Sequence, residues 1–306
     1  MTMTTQANPR ILMCRPEHFG VIYSINPWMN PAEWGRHEQA LAATSHGQWM
    51  ALHKTLRDLG ARIELVSPAA GLPDLVFTAN AAVVMDRKAL LARFRHPQRR
   101  AEEGHLAASF QGLRARGIVD EIVDLPDDLT LEGAGDCVFD RMRNQFWLGY
   151  GPRSDAAAAK VVEDVFGLDV VALELVDPRF YHMDTALSAL PRGEIMYVPE
   201  AFNANGRAII ASHAPASQRI AIAQDDATQL CANAVCIGDD LVMSSCSDRL
   251  RAQLTERGYR VVTTPLTAFL RSGGSAFCLT LRLDLKLPQS ARQRQLEMLD
   301  ASAGRR

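Results

Sequence analysis

The stretch L-T-E-R-G-Y-R-V-V-T-T-P-L-T-A-F-L-R-S-G-G-S-A-F-C, residues 254–278, shows the order of elements that decides the fold. Gly258 closes a charged helical segment, since glycine just past the last turn accepts positive φ without steric cost. The short run after it is rich in valine and threonine, which predicts a strand. A polar segment ending at Cys278 then leads into the apolar run C-L-T-L-R-L-D-L. The stretch therefore predicts a helix, a strand, a polar loop and a second strand.

The same order returns several times along the chain. Helical segments closed by glycine end in L-R-D-L-G (56–60), L-R-A-R-G (113–117) and V-F-G (165–167), and a short apolar strand follows each one. Polar segments then precede apolar hairpins: F-T-A-N (77–80), E-G-A-G-D (132–136), Y-H-M-D (181–184) and a weaker L-C-A-N-A (230–234). The landmarks of the polar segments fall roughly 50 residues apart, a period typical of propellers and arrays: Asn80, Glu132, His182, Asn233 and Cys278.

This repeat indicates where chemistry could occur. Five similar α/β units about an axis would bring five equivalent loops to one end, so residues far apart in sequence would share one site. An ordinary α/β domain with coincidental spacing is the alternative that the pattern leaves open.

Bulk composition limits the class of protein. The chain has 306 residues, 47% of them hydrophobic and 22% charged, which is enough for a sizeable core. Its formal net charge is −2, without the basic surface that nucleic-acid binding needs. No apolar stretch approaches the roughly 18–20 residues that span a membrane, and the N-terminus lacks the apolar core of a signal peptide. We expect a cytoplasmic protein with neither a nucleic acid nor a membrane as partner.

Sequence motifs for metals and cofactors are not evident. The six cysteines include no C-x-x-C pair and no Cys/His cluster with zinc-finger spacing, so free thiols are expected. The H-x-D pattern at 182–184 occurs in metal sites, but no clear third ligand accompanies it. Neither G-x-G-x-x-G nor G-x-x-x-x-G-K-[S/T] is present. We therefore predict no metal and no cofactor.

No Pro/Ser-rich linker or low-complexity segment divides the chain. We predict one catalytic domain over residues 1–288 and a tail over 289–306 that is helical or partly disordered. The oligomeric state stays open, with a homo-oligomer among the alternatives.

Three residues could carry nucleophilic and proton-transfer chemistry. Cys278 stands between a Gly-Gly turn and a strand, where a thiol can face a cleft and be rigidly held. A free thiol has a pKa of about 8.5, so it needs a nearby positive charge, such as a cationic substrate, to ionise at neutral pH. His182 is a natural proton shuttle near neutral pH. Asp184 is two residues further on, so on a strand-like segment both side chains would point to the same side. A structural cysteine and a surface H-x-D pair are the alternatives.

Two acids and two arginines complete the candidates. Glu132 and Asp136 bracket a turn whose glycines could aim both carboxylates inward. Arg99 and Arg153 are the best anion clamps. Taken singly, each has a solvated surface role as its alternative. The candidate acids, the base and the nucleophile occupy matching places in a repeated unit, which independent surface residues should not do.

The joint pattern F-T-A-N, H-P-Q-R-R-A-E (96–102), E-G-A-G-D, Y-H-M-D and S-G-G-S-A-F-C-L-T (272–280) resembles the guanidino-group-modifying superfamily. Its members include arginine deiminases, dimethylarginine dimethylaminohydrolases, glycine amidinotransferases and arginine dihydrolases. The resemblance covers about residues 10–285. It implies the pentein fold, a five-bladed pseudo-fivefold α/β propeller of ββαβ-type units with one active site on the axis, which agrees with the repeat.

The resemblance also implies roles for single residues. Cys278 matches the nucleophile and His182 the general acid/base. Glu132 and Asp184 match the acids that hold the guanidinium, and Glu132 is counted among the catalytic residues. Arg99 and Arg153 match residues that hold the substrate carboxylate. The six predicted substrate contacts are Asp184, Asn80, Asn26, Arg99, Arg153 and Asp136.

Asn80 separates the branches of the superfamily. Deiminases and dimethylarginine hydrolases usually present Asp at this place, and F-T-A-N with I-N-P-W-M (25–29) resembles the arginine dihydrolase branch most. The resemblance implies that Asn26 matches a residue of an N-terminal loop that contacts the substrate in that branch. The resemblance therefore implies hydrolysis of C–N bonds of arginine through a covalent cysteine intermediate, giving ornithine, ammonia and carbon dioxide.

Other activities stay open within the same superfamily. A deiminase or dimethylarginine dimethylaminohydrolase would give citrulline, an amidinotransferase would pass the amidino group to an amine, and a non-catalytic member would only bind arginine. In every case the expected partner is a small guanidino compound.

Overall fold

The computed structural model describes residues 8–287 of the chain. The tail predicted over residues 289–306 lies outside the described residues. Within 8–287, no helix combines the length and the apolar character needed to cross a bilayer.

The described chain forms five separate three-stranded sheets. In chain order the strands are β1 (Arg10–Cys14), β2 (Arg62–Val66), β3 (Ala82–Met85), β4 (Lys88–Leu91), β5 (Glu121–Val123), β6 (Cys137–Asp140), β7 (Gln145–Tyr150), β8 (Asp169–Glu174), β9 (Leu187–Ala189), β10 (Ile195–Tyr197), β11 (Arg219–Ala221), β12 (Val235–Ile237), β13 (Asp240–Met243), β14 (Arg260–Thr263) and β15 (Leu281–Arg282).

All five sheets have the same topology. The middle strand pairs antiparallel with the strand before it and parallel with the strand after it, as β4 does with β3 and β5. The first sheet obtains its outer strand from the far end of the sequence, because β15 pairs antiparallel with β1 through Ile11 opposite Arg282. This pairing closes the ring. The predicted pseudo-fivefold propeller of α/β units is confirmed.

A helix connects the middle and last strands of each sheet, since parallel strands need a crossover connection. The α-helices of the described chain are α1 (Pro31–Arg36), α2 (Glu38–Asp58), α3 (Pro97–Ala115), α4 (Ala158–Phe166), α5 (Met183–Ala186), α6 (Ala204–His213), α7 (Gln224–Ala227), α8 (Asp248–Glu256) and α9 (Thr267–Leu270). Shorter 3-10 turns span Pro73–Val76, Thr78–Ala81, Gly133–Gly135, Pro199–Ala201 and Ala216–Gln218. The crossover helices are α2, α3, α4, α6 and α8.

Glycines end four of these helices as predicted, with positive φ at Gly60, Gly117, Gly167 and Gly258. At Gly167, φ is 67° and its N–H donates to Glu163 O, which satisfies a carbonyl of the last turn of α4. The strands begin two or more residues after each glycine, so they are shorter than the apolar runs of the sequence.

The core lies between the helices and the sheets and continues to the axis of the ring. A cavity of about 120 Å³ on that axis is lined by the strand of each sheet that pairs antiparallel with the middle strand, which is β3, β6, β9, β12 or β15. These five strands contribute, in that order, Val83, Cys137, Ser188, Val235 and Leu281 to the lining. The five polar segments of the sequence directly precede these strands. They therefore lie together at one end of the ring, which is where the candidate site forms.

Candidate active site

Cys278 is buried and is the last residue of the polar segment that precedes β15. Its Sγ lies 3.2 Å from Asp184 Oδ2 and 3.1 Å from Asn233 Nδ2. Burial raises the pKa of the Cys278 thiol well above its ordinary value, and the adjacent Asp184 carboxylate raises it further. In the ligand-free site the sulfur is therefore a thiol that donates its proton to Asp184.

Asp184 has one carboxylate oxygen without a partner. Its Oδ2 contacts the thiol, whereas Oδ1 is buried and accepts no hydrogen bond within the described chain. Burial raises the pKa of Asp184 to about 7. A buried, unpaired oxygen costs free energy, so this atom is suited to receive a donor from a ligand.

His182 and Arg153 share the second acid of the site. Glu132 Oε2 accepts hydrogen bonds from His182 Nε2 at 2.8 Å and from Arg153 Nη1 at 2.9 Å. Burial acts to raise the pKa of Glu132, but Arg153 and His182 outweigh it and hold that pKa well below its usual range. Burial lowers the pKa of His182 to about 4, against the opposing effect of Glu132. At neutral pH the imidazole is neutral beside an ionised carboxylate.

Arg99 fixes Asn80 in the wall of the same cavity. The Arg99 guanidinium forms two hydrogen bonds with Glu102, at 2.9 and 2.8 Å, and its Nη1 donates to Asn80 Oδ1 at 2.9 Å. Asn80 Nδ2 in turn donates to the main-chain oxygen of Glu132 at 3.2 Å. Asn80 is thus held as an acceptor on one side and a donor on the other.

One narrow cavity brings most of the predicted residues together. Its lining includes the predicted residues Asn26, Asn80, Arg99, Arg153, His182 and Cys278. Asn26 Nδ2 donates to Ser272 O at 3.0 Å, which ties the N-terminal loop to the segment that carries Cys278. Glu132 and Asp184 lie directly behind this wall, in contact with His182 and Cys278 respectively.

Asp136 is placed differently from the other acids. Its Oδ2 accepts from Ser154 Oγ at 2.5 Å and its Oδ1 from the Met183 main-chain N–H at 3.1 Å. The carboxylate lies 3.9 Å from His182 Nε2 and is not part of the cavity lining. Its role as a substrate contact stays a prediction, and in this structure it supports the loop that carries His182.

Two glycines permit the close packing of these loops. A Cβ atom on Gly135 would lie 2.2 Å from Asn80 Nδ2, and one on Gly274 would lie 2.2 Å from Phe77 Cε1. Both distances are far below van der Waals contact. The glycines of E-G-A-G-D and S-G-G-S-A-F-C are therefore required by the approach of neighbouring loops around the site.

Sequence reasoning missed several residues of the site. Asp74, Tyr181 and Ser272 line the cavity, and Asp74 Oδ2 accepts a hydrogen bond from Tyr23 at 2.8 Å. Asn233 contacts Cys278 but was recognised only as a landmark of the repeat; its matching phase was the signal that could have identified it. The expectation that residues 181–184 are strand-like was wrong beyond His182, because the chain enters α5 at Met183.

Among residues 8–287, no group of three or more His, Cys, Asp or Glu side chains is arranged to hold a metal ion. The six cysteines are all free thiols.

Comparison with known proteins gives consistent matches over nearly the whole chain. The family described as N,N dimethylarginine dimethylhydrolase, eukaryotic, matches residues 15–285. The bifunctional arginine dihydrolase/ornithine cyclodeaminase ArgZ of Synechocystis sp. is 41% identical over 274 residues, which are 90% of this chain and 37% of that protein. The N(G),N(G)-dimethylarginine dimethylaminohydrolase of Mycobacterium tuberculosis is 35% identical over 282 residues, 91% of this chain and 87% of that one.

A solved structure agrees with these matches. The crystal structure of the N-terminal domain of ArgZ bound to substrate, described as an arginine dihydrolase, has a TM-score of 0.84 and 38% identity. The match covers 92% of this chain and 100% of that domain. The chain spans a little over a third of the length of the bifunctional relative, at 37%.

The fold and the matches together define a pentein protein of the guanidino-group-modifying superfamily. Within it, the chain belongs to the dimethylarginine dimethylaminohydrolase family. The predicted superfamily, fold and similarity to arginine dihydrolases are confirmed.

Proposed function

We propose that this protein hydrolyses the guanidino group of arginine through a covalent intermediate on Cys278 and carries the reaction on to ornithine. The observation that carries the proposal is the meeting, at one cavity, of a buried thiol, an unpaired carboxylate oxygen of Asp184 and the His182–Glu132 pair. The match to arginine dihydrolases supports the choice of substrate.

The two acids are suited to hold a guanidinium beside the sulfur. Asp184 Oδ1 lacks a donor within the described chain, and Glu132 is ionised and contacts His182 in the wall of the cavity. A planar guanidinium donates pairs of parallel hydrogen bonds to carboxylates, so two acids orient its plane and expose its central carbon to attack. Arg153 and Arg99, which also line the cavity, would bind the α-carboxylate, and the buried Asp74 would bind the α-ammonium group.

The cation also helps to ionise the nucleophile. Asp184 raises the pKa of the thiol in the free site, and a bound guanidinium neutralises that charge, so the pKa falls on binding. As Cys278 attacks, the neutral His182 accepts the proton and returns it to the departing nitrogen, releasing ammonia. A water molecule then adds to the amidino carbon, His182 transfers its proton, and the C–S bond breaks to give citrulline.

A second cycle on bound citrulline would consume another water and release ammonia and carbon dioxide. The ureido group of citrulline is neutral and has both an acceptor and donors. Asn80 offers a matching acceptor and donor, which a carboxylate does not. The product balance is one ornithine, two ammonia and one carbon dioxide for each arginine.

Product analysis tests the proposal directly. The protein is incubated separately with arginine, citrulline and dimethylarginine, and with arginine plus glycine, and amino acids and ammonia are quantified. Ornithine with two ammonia per arginine supports the proposal. Citrulline as the end product supports a deiminase, methylamines from dimethylarginine support a dimethylaminohydrolase, amidino transfer to glycine supports a transferase, and binding without any product supports a non-catalytic role.

The proposal covers only the part of the bifunctional relatives that this chain matches, so no cyclodeaminase activity is proposed. We also propose that residues 1–288 act as one catalytic domain and that the protein is cytoplasmic, where free thiols persist.

The pH dependence of kcat/KM should report the ionisation of Asp184. Because burial raises the pKa of Asp184 to about 7, the carboxyl is protonated below that pH and cannot pair with the guanidinium. We expect kcat/KM for arginine to rise roughly tenfold per pH unit below about 7 and to level off above it. Asp184→Asn should lower kcat/KM and remove this limb. A flat profile for the unmodified protein between pH 5 and 8 would contradict the assignment.

A further inference from the structure

Asn233 makes a two-sided contact with the candidate nucleophile. Its side chain is fully buried, with an exposed fraction of 0%. Asn233 Oδ1 accepts from the Cys278 main-chain N–H at 3.1 Å, and Nδ2 donates to Cys278 Sγ at 3.1 Å. The same Nδ2 donates to Asp184 O at 3.1 Å. Both amide hydrogens and the amide oxygen are therefore used within the site.

These partners fix the orientation of the amide. A main-chain N–H can only donate and a main-chain carbonyl can only accept, so Oδ1 must face Cys278 N and Nδ2 must face Asp184 O. The flipped amide would place oxygen against the Asp184 carbonyl and NH₂ against an N–H. It follows that the group facing the sulfur is an N–H donor.

The turn that carries Asn233 is held in an uncommon conformation. Leu230 has φ of 52°, in the left-handed region that residues with a Cβ rarely adopt, and the Asn233 N–H donates to Leu230 O at 2.9 Å. Such strain persists only where surrounding contacts impose it, and it concentrates at functional sites. The turn positions Asn233 against the segment of Cys278.

Among residues 8–287, the sulfur has one acceptor, Asp184 Oδ2, and two donors, Asn233 Nδ2 and the main-chain N–H of Ser275, as hydrogen-bond partners. The thiol donates to Asp184 Oδ2, and Asn233 Nδ2 remains aimed at the sulfur lone pairs. When the proton leaves, the contact with Asp184 becomes repulsive, whereas the contact with Asn233 becomes stronger, because an N–H donor favours an anionic acceptor. The titratable and charged groups that contact or face the thiol are Asp184 of α5, Tyr181 and His182 before it, and Asp74, Arg99 and Arg153 across the cavity.

We propose that Asn233 is a positioning residue that stabilises the Cys278 thiolate and holds it at a set place relative to Asp184. The catalytic consequence rests on the proposed function, but the effect on the thiol does not. A purely structural tie between two loops would leave the ionisation of Cys278 unchanged.

Asn233→Asp distinguishes stabilisation of the Cys278 thiolate from a purely structural tie between the two loops. An aspartate is nearly isosteric and keeps an acceptor for the Cys278 N–H, but when ionised it loses the donor to sulfur and adds a negative charge. Asn233→Ala removes both contacts and serves where Asn233→Asp fails to fold. The matched control is Asn203→Asp, since Asn203 caps α6 away from the site and accepts from Gly206 N, a bond that aspartate retains.

The measurement is the rate of Cys278 alkylation by iodoacetamide between pH 6 and 10, followed by mass spectrometry of the peptide that contains it. Because the pKa of the buried thiol is well above its ordinary value, the quantity compared is the alkylation rate at each pH. We expect both Asn233 variants to lower this rate at least about tenfold, since a higher thiol pKa leaves a smaller thiolate fraction at every pH below it. The Asn203 variant should match the unmodified protein. Unchanged alkylation rates in correctly folded Asn233 variants would overturn the proposal.

Kinetics add a second readout. For the Asn233 variants we expect kcat at pH 7 to fall at least about tenfold with little change in KM, and to recover in part at higher pH as the thiolate forms. A loss that is equal at every pH would indicate a structural role and would overturn the proposal. If the protein shows no turnover of arginine but the Asn233 variants are alkylated more slowly, the proposed function fails and the role of Asn233 stands.

Discussion

Replacing Cys278 with serine is expected to lower kcat for arginine by about 10⁴-fold or more, with no covalent adduct detectable. Serine fills nearly the same volume, so the contacts with Asp184 and Asn233 can persist. Its hydroxyl, however, is far less acidic than a thiol, and neither a bound guanidinium nor Asn233 can ionise it at neutral pH. The measurement is steady-state kinetics together with acid-quenched mass spectrometry of the intact protein.

Another buried cysteine provides the control for this substitution. Cys231 lies in the polar segment at 230–234 and donates to Ser245 O at 3.2 Å, a bond that a serine hydroxyl can also make. Cys231→Ser should retain activity within about a factor of three, because it leaves the nucleophile in place. Turnover or an adduct in Cys278→Ser would show that another group attacks the substrate.

Changing Asn80 to aspartate is expected to convert the end product from ornithine to citrulline. Asn80 Nδ2 donates to Glu132 O, and an ionised aspartate would present an acceptor to this carbonyl instead. The variant keeps the acceptor for Arg99 and gains a negative charge, which favours a cationic guanidinium over a neutral ureido group. We expect the first cycle to stay within about tenfold of the unmodified rate and ornithine formation to fall at least about tenfold.

Time courses with arginine and with citrulline as substrates measure this change. Citrulline should accumulate from arginine and should no longer be consumed when supplied alone. Asn30→Asp is the matched control, because Asn30 caps α1 by accepting from Glu33 N and lies outside the cavity. If Asn80→Asp forms ornithine at the rate of the unmodified protein, Asn80 does not determine the end product.

The fold could be predicted because each unit repeats a local pattern. Glycine stops, short apolar runs and polar segments are decided by neighbours in sequence, and Gly60, Gly117, Gly167 and Gly258 all have positive φ. The lengths of the strands were less predictable. The run at 118–125 forms a strand only at Glu121–Val123, because pairing with β4 rather than residue type sets its extent.

The membership of the site was more accessible from sequence than its contacts. The phase of the repeat placed Cys278, His182 and Glu132 at one end of the ring; in the structure Cys278 and His182 line one cavity and Glu132 contacts His182. The burial of the Arg99–Glu102 pair depends on which face of α3 packs inward, and the contact of Arg153 with Glu132 depends on how the loops before β6 and after β7 pack together. Neither can be read from spacing along the chain.

The pairing of β15 with β1 links the order of synthesis to the appearance of activity. The chain leaves the ribosome from its N-terminus, so β1 emerges early, and the edge that β15 will occupy stays open until Leu281 and Arg282 have been made. Cys278 is translated just before that strand, so the thiol arrives together with the last piece of the sheet. A nascent or prematurely terminated chain that stops short of this point carries most of the proposed substrate-binding groups but not the proposed nucleophile. We therefore expect such a chain to be inactive, with Cys278 added only as the first sheet receives its last strand.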